Sequence, residues 1–326
     1  MCPVREDKGC HAHDCGQCGG KERPRYDDCV QHDANDINQR SASVAARLGN
    51  NEATVTFEPF VQLLRVFSVA TRSSLLALYI LIIRECIMRI AVISDLHLGP
   101  GDVSDAFGHS DANFERFLCQ LEGDFERIVL LGDIWETLTS NRLFDAADGL
   151  RRAREAHLPL ARRIQQPKYV YIHGNHDLIA AHIDQAPSEW VLDADGLRLV
   201  FTHGHHHDWL IRRARWLSEL SVWIGAWTRR LGCAAVYRAG YWIDRWLSQP
   251  KENSLLDSFH AWAFQLARFR SADVVVTGHT HVASSMLHQE RLFLNSGSCS
   301  EGHFSYLALD TKVGRFDVCK SVSCAG

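Results

Sequence analysis

The chain has 326 residues, 46% of them hydrophobic and 23% charged, with a formal net charge of −4. That balance suits one large or two medium globular domains and lacks the basic excess that nucleic-acid binding requires, so no nucleic-acid partner is expected. Eleven cysteines without a disulfide-type framework, beside 18 histidines, fit a reducing compartment, and a cytoplasmic location is expected.

Residues 1–87 do not resemble the rest. The first fifty are polar, with balanced charge and no sustained apolar period, and read as a disordered extension or a misassigned start. His11, His13, Cys15 and Cys18 form half of a plausible zinc site, but only Cys29 and His32 follow. The run SSLLALYILII at 73–83 is eleven residues long, short of the roughly 20 that span a bilayer. Met88 stands directly before the first core strand, so the folded domain is expected over 88–320.

From there strands and helices alternate. Arg89–Ser94 is a short apolar run rich in β-branched residues and predicts a buried strand. It stops at Asp95 and His97, whose i, i+2 spacing puts both side chains on one face of an extended chain. A helical stretch at 112–123 leads to a second strand in RIVLLGDIWE (127–136), which ends in Gly132-Asp133. A helical stretch at 151–165 precedes KYVYIHGNHD (168–177), ending in Gly174-Asn175-His176-Asp177. LRLVFTHGHHHD (197–208) ends in His203-Gly204, and DVVVTGHTH (273–281) in Gly278-His279-Thr280-His281. Residues 208–270 carry no strand signal and read as helices; further sheet-like segments follow in HVASSMLHQ, RLFLNSGS and FSYLALD. The pattern predicts an α/β fold of two packed β-sheets flanked by helices, with a helical cap insertion at about 208–270. There is no internal repeat, Walker loop or dinucleotide fingerprint.

Each of five strands therefore stops at a residue type that binds metals, and in four of them a glycine beside it lets the backbone turn tightly. One such ending is an ordinary capped turn; five together point to a metal site.

In order and spacing, Asp95-Leu-His97, Gly132-Asp133, Gly174-Asn175-His176-Asp177, His203-Gly204 and Gly278-His279-Thr280-His281 resemble the motifs of the calcineurin-like metallophosphoesterases, over about residues 88–310. The resemblance implies that family's four-layer sandwich and two divalent ions. Asp133 would bridge them, Asp95, His97 and His281 would complete one site, and Asn175, His203 and His279 the other. Seven oxygen and imidazole ligands suit manganese, with iron or zinc as alternatives, better than calcium or magnesium. His176 would donate a proton to the leaving oxygen, and Asp177 would orient the turn or His176. His205, His206 and His207 exceed what two metals require and read as solvated surface histidines; His173 reads as a satisfied strand-end residue.

Residues 209–246 hold six of the nine tryptophans and seven arginines against Glu219 and Asp244. On a helical wheel Trp209, Trp216, Trp223 and Trp227 fall within roughly 40°, bordered by Arg212 and Arg230, and Trp242 and Trp246 repeat the i, i+4 pairing. Such a face suits a peripheral contact with the inner membrane, a cover over the core, or a second subunit in a homo-oligomer. An insertion at this point, with Gly132-Asp133-Ile134-Trp135-Glu136 and Asn295-Ser296-Gly297-Ser298 followed by Glu301, resembles the branch containing UDP-2,3-diacylglucosamine hydrolases. That branch carries arginine where this chain has His176, an acidic run where it has TLTSN, and usually Arg-Pro where it has Val282-Ala283. The resemblance implies a phosphate-ester substrate, acylated in that branch, cleaved at a phosphodiester or pyrophosphate bond. A soluble phosphodiesterase or phosphomonoesterase is the alternative. A non-catalytic scaffold would show eroded ligands, and all seven are present.

Overall fold

The computed structural model describes residues 88–233 and 258–322. The extension 1–87, with its half zinc site and apolar run, lies outside the described residues, as do Trp242 and Trp246.

The elements, in chain order, are β1 (Arg89–Ile93), α1 (Asp111–Asp124), β2 (Arg127–Leu131), α2 (Ala146–Ala156), α3 (Leu158–Arg163), β3 (Tyr169–Ile172), α4 (Ala180–Ile183), β4 (Glu189–Ala194), β5 (Leu197–Thr202), a 3₁₀ turn (His205–His207), α5 (Trp209–Arg230), α6 (Ser258–Arg270), β6 (Val274–Thr277), β7 (Ser284–His288), β8 (Arg291–Asn295), β9 (His303–Asp310) and β10 (Arg315–Val322). They build two five-stranded mixed sheets, β10-β9-β1-β2-β3 and β4-β5-β6-β8-β7. In the first, β1, β2 and β3 run parallel and β9 returns antiparallel beside β1. In the second, β5, β6 and β8 are parallel, flanked by antiparallel β4 and β7.

The continuous apolar character of β1 and β2 has a direct cause: both of their faces are covered. Ile90 and Val92 of β1, with Val129 and Leu131 of β2, point toward the second sheet and pack with Leu199, Phe201, Val274, Val276 and Leu294. The alternate residues Ala91, Ile93, Ile128 and Leu130 face Phe114, Leu118, Leu121, Leu150 and Leu160 of α1, α2 and α3. On the far side, Val200, Val275 and Phe293 meet Ala263, Phe264 and Ala267 of α6. The result is a helix–sheet–sheet–helix sandwich, as the sequence predicts. The sheet-like segment FSYLALD does not join the second sheet; as β9 it closes the first against β1.

The helical stretch expected at 208–270 divides into unlike parts. α6 is an outer layer of the sandwich, and α5 lies over loops of the first sheet. The continuous tryptophan stripe expected on α5 is not found. Ala214 leaves the helical conformation, with φ −144° and ψ 44°, and breaks the wheel on which the stripe was drawn. Trp209 and Trp216 are exposed, while Trp223 donates its indole N–H to the Ser140 carbonyl at 3.1 Å and packs against Trp227. The exposed apolar face is instead Trp209, Leu210, Trp216, Leu217, Ile224 and Leu231. No helix among the described residues is long and apolar enough to cross a membrane.

Phe293 is 1% exposed where α6 seats on the second sheet. Replacing it with Ala is expected to cost about 3–5 kcal/mol, read as a lower urea midpoint with an unchanged slope.

Candidate metal centre

The carboxyl ends of β1, β2, β3, β5 and β6 open toward one place, where ligands of open α/β sheets characteristically sit. The chain cannot simply run straight off these strands and still aim its polar side chains inward. Five of the seven candidate ligands solve this with a left-handed backbone: Asp95 (φ 53°), His97 (51°), Asp133 (53°), His279 (70°) and His281 (57°). For residues with a Cβ this conformation costs on the order of 1–3 kcal/mol each, and it persists only where the surroundings over-determine it.

Those surroundings are specific. The Asp177 carboxylate accepts hydrogen bonds from the backbone N–H groups of Gly174 (2.6 Å), Ile134 (2.8 Å), Asp133 (3.3 Å) and Trp135 (3.3 Å), and from the Tyr171 hydroxyl (2.7 Å). It clamps the turn after β2 to the turn after β3. Asp95 is held from below: the Ser94 hydroxyl and the His279 backbone N–H donate to Oδ2, and Ser298 Oγ donates to its carbonyl. The glycines beside the ligands are steric requirements. A Cβ on Gly132 (φ 85°) would lie 2.5 Å from the His203 ring, and one on Gly174 would fall on the Asp133 carboxylate.

Three groups of donor atoms result. Asp95, His97 and His281 form one, Asp133, His203 and His279 a second, and His97, Glu136 and His176 a third. Asp95 Oδ1 joins the first two, 3.1 Å from His281 Nε2 and 3.9 Å from His203 Nε2. Asp133 Oδ2 lies 3.2 Å from His203 Nε2, but without hydrogen-bond geometry. Asp95 Oδ1, Asn175 Oδ1 and His203 Nε2 are all buried with no hydrogen-bond partner. Unpaired buried polar atoms are rare in native folds, and here they belong to three of the residues that sequence motifs single out as ligands. A mixed set of carboxylate, amide oxygen and imidazole is what a divalent cation of the manganese, iron or zinc kind takes. The residues fit such an ion.

The electrostatics agree. Burial penalises the Asp95 carboxylate, but His281 and His203 outweigh it and hold its pKa at about 2. Burial likewise opposes charge on Asp133, and His203 and His176 bring its pKa well below the carboxylate range. Burial disfavours charge on His203, yet Asp133 and Asp95 raise its pKa to about 9. His279 is governed by burial and by the neighbouring His203, and falls to about 4.

His176 enters through a contact that sequence reasoning did not assign. Its Nδ1 lies 2.7 Å from Glu136 Oε2, whose carboxylate also lies 3.4 Å from His97 Nδ1. Burial opposes protonation of His176, but Glu136 and Asp133 overcome it and raise its pKa to about 10. Its backbone N–H donates to Asp133 Oδ1 at 2.8 Å and its carbonyl accepts from Thr137. The signal for Glu136 was present: a carboxylate three residues after Asp133, on the same strand end.

His205 corrects the expectation of a solvated histidine run. It is 4% exposed, beneath His206 at a ring separation of 4.0 Å, and burial drives its pKa down to about 2. The tight 3₁₀ turn after Gly204 folds it inward; His206 remains exposed and His207 is half-buried. His173 is buried, with Nδ1 3.2 Å from the Gly174 carbonyl.

Residues 88–222 match the calcineurin-like phosphoesterase superfamily domain, and with that fold and this donor set the protein is a metal-dependent phosphoester hydrolase. It is similar to a UDP-2,3-diacylglucosamine hydrolase of Ralstonia nicotianae, 28% identical over 222 residues that cover 61% of this chain and 78% of that protein. Among solved structures it resembles vacuolar protein sorting 29 of Cryptosporidium parvum, at 16% identity over 72% of this chain and 97% of that one, with a TM-score of 0.37. An archaeal phosphodiesterase matches at 16% identity, over 72% of this chain and all of its own, with a TM-score of 0.37.

Gly132→Ala is expected to lose about 1–3 kcal/mol of stability, since its backbone is left-handed, and to displace His203. Metal content after dialysis should fall with it; unchanged metal binding would show that the His203 ring tolerates the methyl group.

Proposed function

We propose that this protein hydrolyses a phosphodiester or pyrophosphate bond at a dinuclear centre, with a UDP-diacylglucosamine-like nucleotide-linked lipid as the substrate class. The observation that carries the dinuclear reading is the pair of adjacent donor groups with Asp95 Oδ1, Asn175 Oδ1 and His203 Nε2 buried and without a hydrogen-bond partner. In this reading Asp95, His97 and His281 hold one ion, Asn175, His203 and His279 the other, and Asp133 is shared. Divalent cations there, manganese being the best fit to the donor set, supply charge that activates water and polarises a phosphoryl group.

The chain's own residues do the rest. Glu136 fixes the His176 ring through Nδ1, which leaves Nε2 as the atom that can give a proton to the leaving oxygen. An imidazole kept protonated by two carboxylates can perform that transfer across neutral pH. Asp177 holds the two turns that carry Asp133 and His176 in register, so proton donor and metal cage stay at a fixed separation.

The lipid part rests on the similarity to the Ralstonia enzyme and on the exposed apolar residues of α5, flanked by exposed Arg212 and Arg213. Indole and guanidinium groups together favour a headgroup-level surface, so we assign α5 to peripheral membrane contact.

His176→Ala should retain its metal and slow turnover by about 10²–10⁴-fold for alkoxide leaving groups, with a much smaller loss for a nitrophenolate leaving group. Equal losses on both would reduce His176 to a structural role. Replacing Trp216, Leu217 and Ile224 together by Ser should weaken sedimentation with anionic vesicles and raise KM for a UDP-diacyl-sugar, leaving a small soluble diester unaffected. If binding and KM do not change, α5 is no lipid contact and a soluble diester becomes the better substrate.

A further inference from the structure

An imidazole that ligates a metal uses one ring nitrogen for the ion, and the other nitrogen normally donates its N–H to a carboxylate or carbonyl that fixes tautomer and orientation. The histidines of the centre can be compared on this point. His203 has Nδ1 2.8 Å from the Leu131 carbonyl, which leaves Nε2, the unpaired atom, for the ion. His97 has Nδ1 3.4 Å from the Glu136 carboxylate, with Nε2 toward His281. His279 differs: among the described residues neither of its ring nitrogens makes a hydrogen bond. The carboxylate facing it is that of Asp208, with Oδ2 3.9 Å from His279 Nε2.

Asp208 is the N-cap of α5. Its Oδ1 accepts from the Leu210 N–H at 2.7 Å and from the Ile211 N–H at 3.4 Å, so capping occupies one oxygen and leaves Oδ2 facing His279. The gap of 3.9 Å is about 1 Å beyond a hydrogen bond. The Asp208 side chain is 38% exposed and that of His279 18% exposed.

We propose that Asp208 is a positioning residue for the second half of the metal centre: Oδ2 accepts the Nε2–H of His279 and directs Nδ1 to the ion. This rests on the dinuclear reading above. It also makes the first turn of α5 part of the support of the metal centre, because one carboxylate caps the helix and orients the ligand.

Two substitutions separate the roles. Asp208→Asn keeps the cap through its one oxygen but turns an amide NH2, a donor, toward His279, whereas Asp208→Ser keeps the cap but is too short to reach His279. Stripped wild type and both variants are titrated with Mn²⁺ by equilibrium dialysis, with helix content checked by circular dichroism. The first ion should bind all three proteins alike. The second should bind both variants about 10–100-fold more weakly than wild type, with helix content unchanged in both. Wild-type affinity for the second ion in either variant, loss of both ions, or a loss accompanied by lower helix content would each overturn the proposal. If wild type itself takes up a single ion, the dinuclear reading fails, and that outcome is recognised in the wild-type titration before any variant is compared.

Discussion

Asp95, Asp133 and Glu136 bring three carboxylates into a region largely closed to water, all 5% exposed or less. A buried carboxylate without compensation costs several kcal/mol, so everything around them has to supply positive charge or hydrogen bonds. His281 and His203 do this for Asp95, His203 and His176 for Asp133, and His176 and His97 for Glu136. The same groups that would be intolerable singly form a mutually supporting cage. Divalent cations can take over that role: the carboxylates are already deprotonated, and a metal displaces the proton of a ligating imidazole.

The sandwich exists around this requirement. Parallel strands covered on both faces deliver their carboxyl ends to one edge, and left-handed turns at Asp95, His97, Asp133, His279 and His281 redirect the side chains inward. The strain of those turns is held by groups with no part in the chemistry, chiefly Asp177 across the β2 and β3 turns and Ser94 and Ser298 around Asp95. α5 spans the centre: its N-cap Asp208 faces His279, while Arg229 donates to the Ser104 and Asp105 carbonyls and Arg230 pairs with Asp102 and donates to the Thr139 carbonyl. These loops follow His97 and Asp133 in the chain. A helix with an apolar outer face is thus tied to the loops that carry ligands from both half-sites.

The strands that end at the centre were legible in the sequence because burial on both faces writes itself as an unbroken apolar run with an abrupt polar stop. β4 and β10 went unread for the opposite reason. Glu189–Ala194 alternates half-buried and exposed residues at a sheet edge, and Arg315–Val322 mixes charge with apolar residues. Local sequence also misplaced what depends on distant contacts. Glu136 acquires its role only when β3 sets His176 beside it, and His205 is turned inward by a 3₁₀ turn. Trp223 is drawn off the outer face by the Ser140 carbonyl, 83 residues away in the chain. The break at Ala214, a residue of high helix propensity, separates Trp209 from the three later tryptophans of α5, and nothing local announces it.

Two cations sharing Asp133 are the centre of this account, and anomalous diffraction at the manganese edge, from crystals of the full chain grown with Mn²⁺, tests them directly. The account predicts two anomalous peaks about 3.5–4 Å apart, one among Asp95, His97 and His281, the other among Asn175, His203 and His279, with the Asp133 carboxylate between them. A single peak, or two peaks without Asp133 between them, would contradict it.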